Sequence, residues 1–85
     1  MTLSIATAKP GDYLVDDTNT IIAVVEYCSQ DRLCTTLDMD DRRWTWHLDR
    51  IDPDRGTVPV PTALRDLLRD WHVIPSATLT LVRAA

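Results

Sequence analysis

The 85-residue chain has only two glycines, Gly11 and Gly56, and they stand far apart. A phosphate-cradling loop needs several glycines in close succession, so that backbone N–H groups can approach an anion. Their scarcity excludes that chemistry. No stretch approaches the roughly 18 apolar residues of a membrane-spanning helix. The opening MTLSIATAKPGD lacks a positively charged stretch followed by a long apolar run. No secretory signal is therefore expected, and the protein is expected to be cytoplasmic. Cysteine is also scarce. Cys28 and Cys34 are expected as reduced thiols in that compartment. Five residues separate them, more than the two to four of a zinc-binding thiolate hook. The histidines, His47 and His72, lie far apart with no motif around either. No nucleophile elbow occurs. No internal repeat and no low-complexity tract is present. No metal and no cofactor is expected. Basic residues number nine against thirteen acidic ones, a formal net charge of -4. That balance argues against non-specific nucleic-acid binding, which relies on a basic footprint.

What the sequence has is a β-rich centre. Thr20 to Ile51 reads as three strands joined by two short polar turns. Thr20 to Tyr27 is almost wholly apolar and β-branched, the composition of a strand. Leu33, Thr35, Leu37 and Met39 alternate with Cys34, Thr36 and Asp38. Trp44, Trp46 and Leu48 alternate with Thr45, His47 and Asp49. Asp40-Asp41 is expected as a two-residue hairpin loop. It would set Leu37 opposite Trp44, Thr35 opposite Trp46 and Leu33 opposite Leu48. At Ser29-Gln30-Asp31 an odd loop would pair Tyr27 with Leu33 and bury Ile21, Ala23, Val25 and Tyr27. An even loop would bury Glu26 without a partner, which costs several kcal/mol. The odd loop is therefore expected, with Ile22 and Val24 on the second face.

Around this meander the chain supplies packing. Met1 to Ala8, and the first nine residues in general, are expected to be either disordered or a short edge strand through Leu3 and Ile5. Lys9-Pro10-Gly11-Asp12 is a turn, because Pro fixes φ and Gly accepts a positive φ. Asp16-Asp17-Thr18-Asn19 is a polar loop that lacks the central Gly and distal Glu of an EF-hand. Pro59 and Pro61 deny ladder donors, so the connector from Asp52 to Pro61 is expected to be irregular or an edge. Leu64, Leu67, Leu68 and Trp71 fall at i, i+3, i+4 and i+7, an apolar helical stripe. The helix is expected over 62–73, stopped by Val73-Ile74 and Pro75. Strands are expected near 13–16, 20–28, 33–39, 42–50 and 77–83, in the order β-β-β-β-α-β. This is one mainly β domain over 1–85, a strongly bent antiparallel barrel or meander with one helix in its C-terminal half. Leu37, Trp44, Leu64, Leu68 and Trp71 should share its core.

Gly11, Asp12, Val15, Asp17, Val24, Leu37, Trp44 and Pro53 carry a resemblance over residues 10–54. A Gly-Asp-Tyr opening, an apolar strand, a short hairpin, a Trp-containing strand and an Asp-Pro exit resemble small SH3-like barrel proteins of the kind common among short actinobacterial proteins. This chain departs from them in lacking glycines between the first two strands and in the hairpins. The resemblance implies a protein- or nucleic-acid-binding module and brings no catalytic motif.

Three functional expectations follow. The first is a non-catalytic module that binds a protein or itself as a homodimer, through Ile22, Val24, Val58 and Val60 and the Pro59–Pro61 edge, as an exposed apolar edge or face. The second is a nucleic-acid-binding barrel using Arg42, Arg43, Trp46 and Arg50, where basic residues neighbour aromatics. The third is a small enzyme using His47 oriented by Asp49, since i and i+2 on a strand share a face. Asp38, Asp40 and Asp41 read as a solvated cap between strands rather than a cation site. His72 reads as structural, at the helix C-terminus.

Overall fold

Runs of β-branched and aromatic residues become strands where alternation or continuous apolarity marks them. A computed structural model describes residues 3–73 and 76–84. Its strands are β1 (Tyr13–Val15), β2 (Ile21–Cys28), β3 (Arg32–Leu37), β4 (Arg43–His47), β5 (Thr57–Pro59) and β6 (Thr78–Val82). One helix, α1 (Thr62–Asp70), stands between β5 and β6. The strands form one antiparallel sheet in the order β4-β3-β2-β1-β6-β5. The sheet is strongly curled into a half-barrel of SH3-like form. The expected strand-and-helix order is present, with β5 added as a three-residue edge strand.

The curl originates in β2. Its pairing shifts by one residue against β1 between Leu14 and Val15, and again against β3 between Val25 and Tyr27. Each extra residue bends the strand and increases its twist. Each also reverses which face the following side chains take. Ala23 and Val25 are buried as expected, but Ile22 is buried beside them at 2% exposure and Ile21 is exposed. The second bulge reconciles two demands that the sequence seemed to set against each other. The turn is even: Cys28 pairs with Leu33 across Ser29–Arg32, and the Ser29 N–H donates to the Arg32 carbonyl at 2.9 Å. Glu26 nevertheless stays in solvent, because it is the bulged residue. Tyr27 instead swings outward, 48% exposed, and Cys28 turns inward against the core. The expected odd-loop pairing of Tyr27 with Leu33 is therefore corrected at the turn, while its consequence for Glu26 holds.

The β3–β4 register is also two residues from expectation. Leu33 pairs with Trp46 and Thr35 with Trp44. The loop spans Asp38–Asp41 rather than Asp40-Asp41 alone. The Leu37 N–H donates to the Arg42 carbonyl at 2.8 Å, and Asp41 takes a positive φ of 58°. A slip of two residues preserves side-chain parity, so the expected inward face survives.

Leu37, Leu64 and Leu68 lie in the core, and Trp44 and Trp71 pack against it. The expected five therefore share one core. Helix α1 ends earlier than 73, and its stop is a left-handed residue. His72 has φ 60°, its N–H donates to the Arg69 carbonyl, and the Val73 N–H reaches back to Leu68 at 2.8 Å. These are the two bonds of a Schellman closure. Of the stop expected at Val73-Ile74 and Pro75, Ile74 and Pro75 lie outside the described residues. Leu68→Ala should lower the unfolding free energy by about 2–4 kcal/mol, the cost of emptying a fully buried leucine site. Urea denaturation measures it, and a loss below about 1 kcal/mol would show that α1 is not packed on the sheet.

The N-terminal segment is neither an edge strand nor loose where it is described. Ile5–Thr7 forms one 3-10 turn with Ile5 completely buried. The Ile5 and Ala6 N–H groups donate to the carbonyls of Arg55 and Pro53 at 2.8 and 2.9 Å.

Two buried aspartates tie the loops. The Asp12 carboxylate accepts the Lys9 N–H at 2.9 Å and the Ala84 N–H at 3.2 Å, joining the first turn to the end of β6. Gly11 beside it has φ 94°, a conformation that side chains rarely adopt. Asp16 accepts the Thr18 hydroxyl at 2.7 Å and the N–H groups of Thr18 and Thr20, both at 2.9 Å. Burial alone would raise its carboxyl, but these bonds outweigh burial and hold it below the ordinary 3.8. A carboxyl lowered on folding stabilises the native state above its unfolded pKa, and that contribution is lost as pH falls through the folded value. Stability should therefore be flat down to about pH 5 and decline below about pH 4, with a shallower decline in Asp16→Asn. An unchanged acid profile in that variant would contradict the assignment.

Candidate functional site: the open seam of the half-barrel

A half-barrel leaves two strand edges unpaired, and here the two differ. In an antiparallel ladder, alternate residues bond the neighbouring strand and those between them point away. The Leu37 N–H bonds the Arg42 carbonyl, and the Leu48 N–H bonds the Asp31 carbonyl at 2.8 Å. Between these fixed points, Trp44 and Trp46 turn their backbone groups to β3, while Arg43, Thr45 and His47 turn theirs to the free edge. The same parity applies to β5. The Val60 N–H donates to the Ala77 carbonyl, and the Leu81 N–H to the Gly56 carbonyl. Thr57 and Pro59 therefore face the free edge, and Pro59 has no N–H to offer. Proline at that position blunts an edge against strand pairing. β4 carries no such block.

The curl brings both edges to one groove of about 340 Å³, lined by Trp44 to His47, by Arg50 and Ile51, and by Pro59, Val60 and Pro61. This volume is at the small end of ligand pockets, which run to about 300–1,000 Å³. Trp44 is half-buried in its wall. Trp46 forms the floor, with the two indole centroids 6.4 Å apart and tilted by 59°. The Trp46 indole N–H donates to the Thr35 hydroxyl at 3.2 Å, and that hydroxyl donates to the Trp44 carbonyl at 2.9 Å. Trp46 is thus a core residue with a satisfied polar atom, 5% exposed.

Most residues expected at an interface lie elsewhere. Ile22, Val58 and Val60 are buried, because the first β2 bulge turns Ile22 inward and the inner face of β5 carries Val58. This corrects the expected exposed apolar edge. Val24 is half-exposed, and Val60 alone of the four lines the groove. The large apolar side chains in solvent are Ile21, Tyr27, Met39 and Val82.

Of the residues expected to bind nucleic acid, Trp46 and Arg50 line the groove and Arg42 and Arg43 do not. Arg42 pairs with Asp40 at 3.3 Å and Arg43 with Glu26 at 3.6 Å. Trp46 is nearly buried and presents little ring surface on which a base could stack. Arg50 alone of the set remains exposed at the groove. His47 and Asp49 are both exposed. The strand ends at His47 and a 3-10 turn covers Leu48–Arg50, so the alternation that would put the imidazole and the carboxylate on one face is broken between them. Among the described residues, no cluster of three or more His, Cys, Asp or Glu side chains is placed to hold a metal ion.

Both cysteines are free thiols. The bulge at Glu26 parts them, so that Tyr27 pairs with Cys34 while Cys28 faces inward. Burial, with a smaller contribution from Cys34, pushes the Cys28 thiol up. The protonated thiol donates to the Ile5 carbonyl at 3.3 Å.

No helix among the described residues is long and apolar enough to cross a membrane. The Pro59–Pro61 side of the seam is legible in the sequence as an apolar edge, but its meeting with β4 is not, because that depends on curvature. The available signals were the Pro59–Pro61 spacing, which marks an edge, and the two tryptophans. No known protein-family model matches the chain, and neither a curated protein nor a solved structure matches it.

Proposed function

We propose that this chain is a non-catalytic protein-binding module that takes an extended segment of another protein as an added strand along β4. Main-chain hydrogen bonds to Arg43, Thr45 and His47 would supply affinity, and alternate side chains of the segment would enter the seam groove. One observation carries the reading: β5 is blunted by Pro59 on its outward face, whereas β4 has no proline and borders an apolar groove. A different protein fits better than a second copy. Two β4 strands paired about Thr45 would set Arg43 of each copy opposite His47 of the other, a pairing that gives the guanidinium no opposite charge.

A phage-displayed library of random ten-residue peptides tests the proposal. Selected peptides should bind a protein that sediments as a monomer. Thr45→Pro removes one outward N–H from an edge, where proline is tolerated. It should lower their affinity by about tenfold or more, given the lost bond and the blocked ladder. Circular dichroism checks that the variant is folded. Undiminished binding by folded Thr45→Pro rules strand addition out.

A further inference from the structure

We infer that the segment taken by the seam carries a carboxylate beside apolar side chains, with the carboxylate at Arg50. This rests on the strand-addition reading and specifies its partner. The groove is apolar along Trp44, Ile51, Pro59, Val60 and Pro61, and its charged or titratable lining is only Arg50 and His47. No carboxylate among the described residues lines it, although acidic residues outnumber basic ones thirteen to nine.

Arg50 also differs from most arginines of the chain. Arg32, Arg42, Arg43, Arg55, Arg69 and Arg83 each lie within 4.0 Å of a carboxylate. Arg50 makes no such pair among the described residues. Its nearest acids in sequence are Asp49, which does not line the groove, and Asp52, which pairs with Arg55 at 3.5 Å. Arg50 also borders an adjoining hollow beyond β5 of similar volume, formed with Asp52, Arg55, Thr57 and Thr78, where the Asp52 carboxylate is held by Arg55. It therefore stands at the mouth where a strand along β4 would leave the groove.

A guanidinium offers a fixed fork of donors to a carboxylate. On a chain of net charge -4, an uncompensated positive point beside an apolar groove selects a partner that is acidic at that position and apolar next to it. A segment acidic throughout would be repelled by the rest of the surface.

The same peptide library provides the test, run against the wild-type chain and Arg50→Glu. Arg50 is exposed, so its replacement does not threaten the fold. Wild-type selection should enrich Asp or Glu at one fixed spacing from apolar positions. Arg50→Glu should weaken those peptides about three- to tenfold, with a loss that shrinks at high salt. It should also select Lys or Arg at that position. Arg69→Glu, on the outer side of α1, should change nothing. Peptides that depend on Thr45 but show no acidic preference and ignore Arg50→Glu overturn this inference and leave strand addition standing. Peptides indifferent to Thr45→Pro, or no selected peptides at all, overturn both. A ten-nucleotide single strand is the parallel probe. Salt-sensitive quenching of tryptophan fluorescence that disappears in Arg50→Glu, without peptide binding, overturns both in favour of nucleic acid.

Discussion

Trp46→Ala should lower the unfolding free energy by about 3–5 kcal/mol, the range for removing a large buried aromatic. The indole is nearly inaccessible and lies opposite Leu33 in the centre of the inner face. Alanine would leave a cavity between β3 and β4 and remove the donor to Thr35. Two companion changes separate packing from hydrogen bonding. Trp46→Phe keeps most of the volume and orphans no donor, so it should cost less. Thr35→Val keeps the shape but leaves the indole N–H without its acceptor at a completely buried position. That should cost about 1–3 kcal/mol. Urea denaturation with unchanged slope gives each value. A Trp46→Ala loss below about 1 kcal/mol would mean that the indole is a surface group, and the nucleic-acid reading would regain its stacking platform.

Ile5→Ala should cost about 2–5 kcal/mol. An isoleucine in a frayed terminus would cost almost nothing, so the size of the effect decides between a loose arm and a built-in element. Ile5 is wholly buried, its N–H is held by Arg55, and its carbonyl accepts the Cys28 thiol. It therefore fastens the chain start to both the β4–β5 connector and the end of β2. Thermal denaturation should show a lowered midpoint with cooperativity retained. A midpoint within about 1 °C of wild type would be inconsistent with burial, since 1 kcal/mol in a domain of this size shifts it by about 4–8 °C.

The parts legible in the sequence were those set by local periodicity. The apolar stripe of α1 and the alternation of β3 and β4 gave the elements and their inward faces. Even a two-residue misreading of the Asp38–Asp41 loop left those faces correct, because parity survives an even slip. β2 was less legible. Eight residues with apolar side chains at most positions allow either face inward, and two bulges change the face midway. Ile21 and Ile22 are indistinguishable by type, yet one is exposed and the other is core. Ile5 lay in a short stretch with no period to read. The seam was hidden for a related reason. It arises when bulge-driven curl brings β4 and the Pro59–Pro61 segment to opposite sides of one groove, and those residues are more than ten positions apart in sequence. Arg50 stands out in sequence for its charge next to tryptophans, but its lack of an ion partner among the described residues appears only when six of the other arginines are seen paired.

Amide hydrogen exchange, read residue by residue along β4 by nuclear magnetic resonance, tests the open edge most directly. In the free monomer the Thr45 and His47 amides should exchange rapidly, while Trp44 and Trp46, bonded to β3, should be strongly protected. A saturating selected peptide should slow Thr45 and His47 and leave Trp44 and Trp46 almost unchanged. Thr45 and His47 amides as protected in the free monomer as those of Trp44 and Trp46 would mean that the edge is already covered, and strand addition along β4 would be wrong.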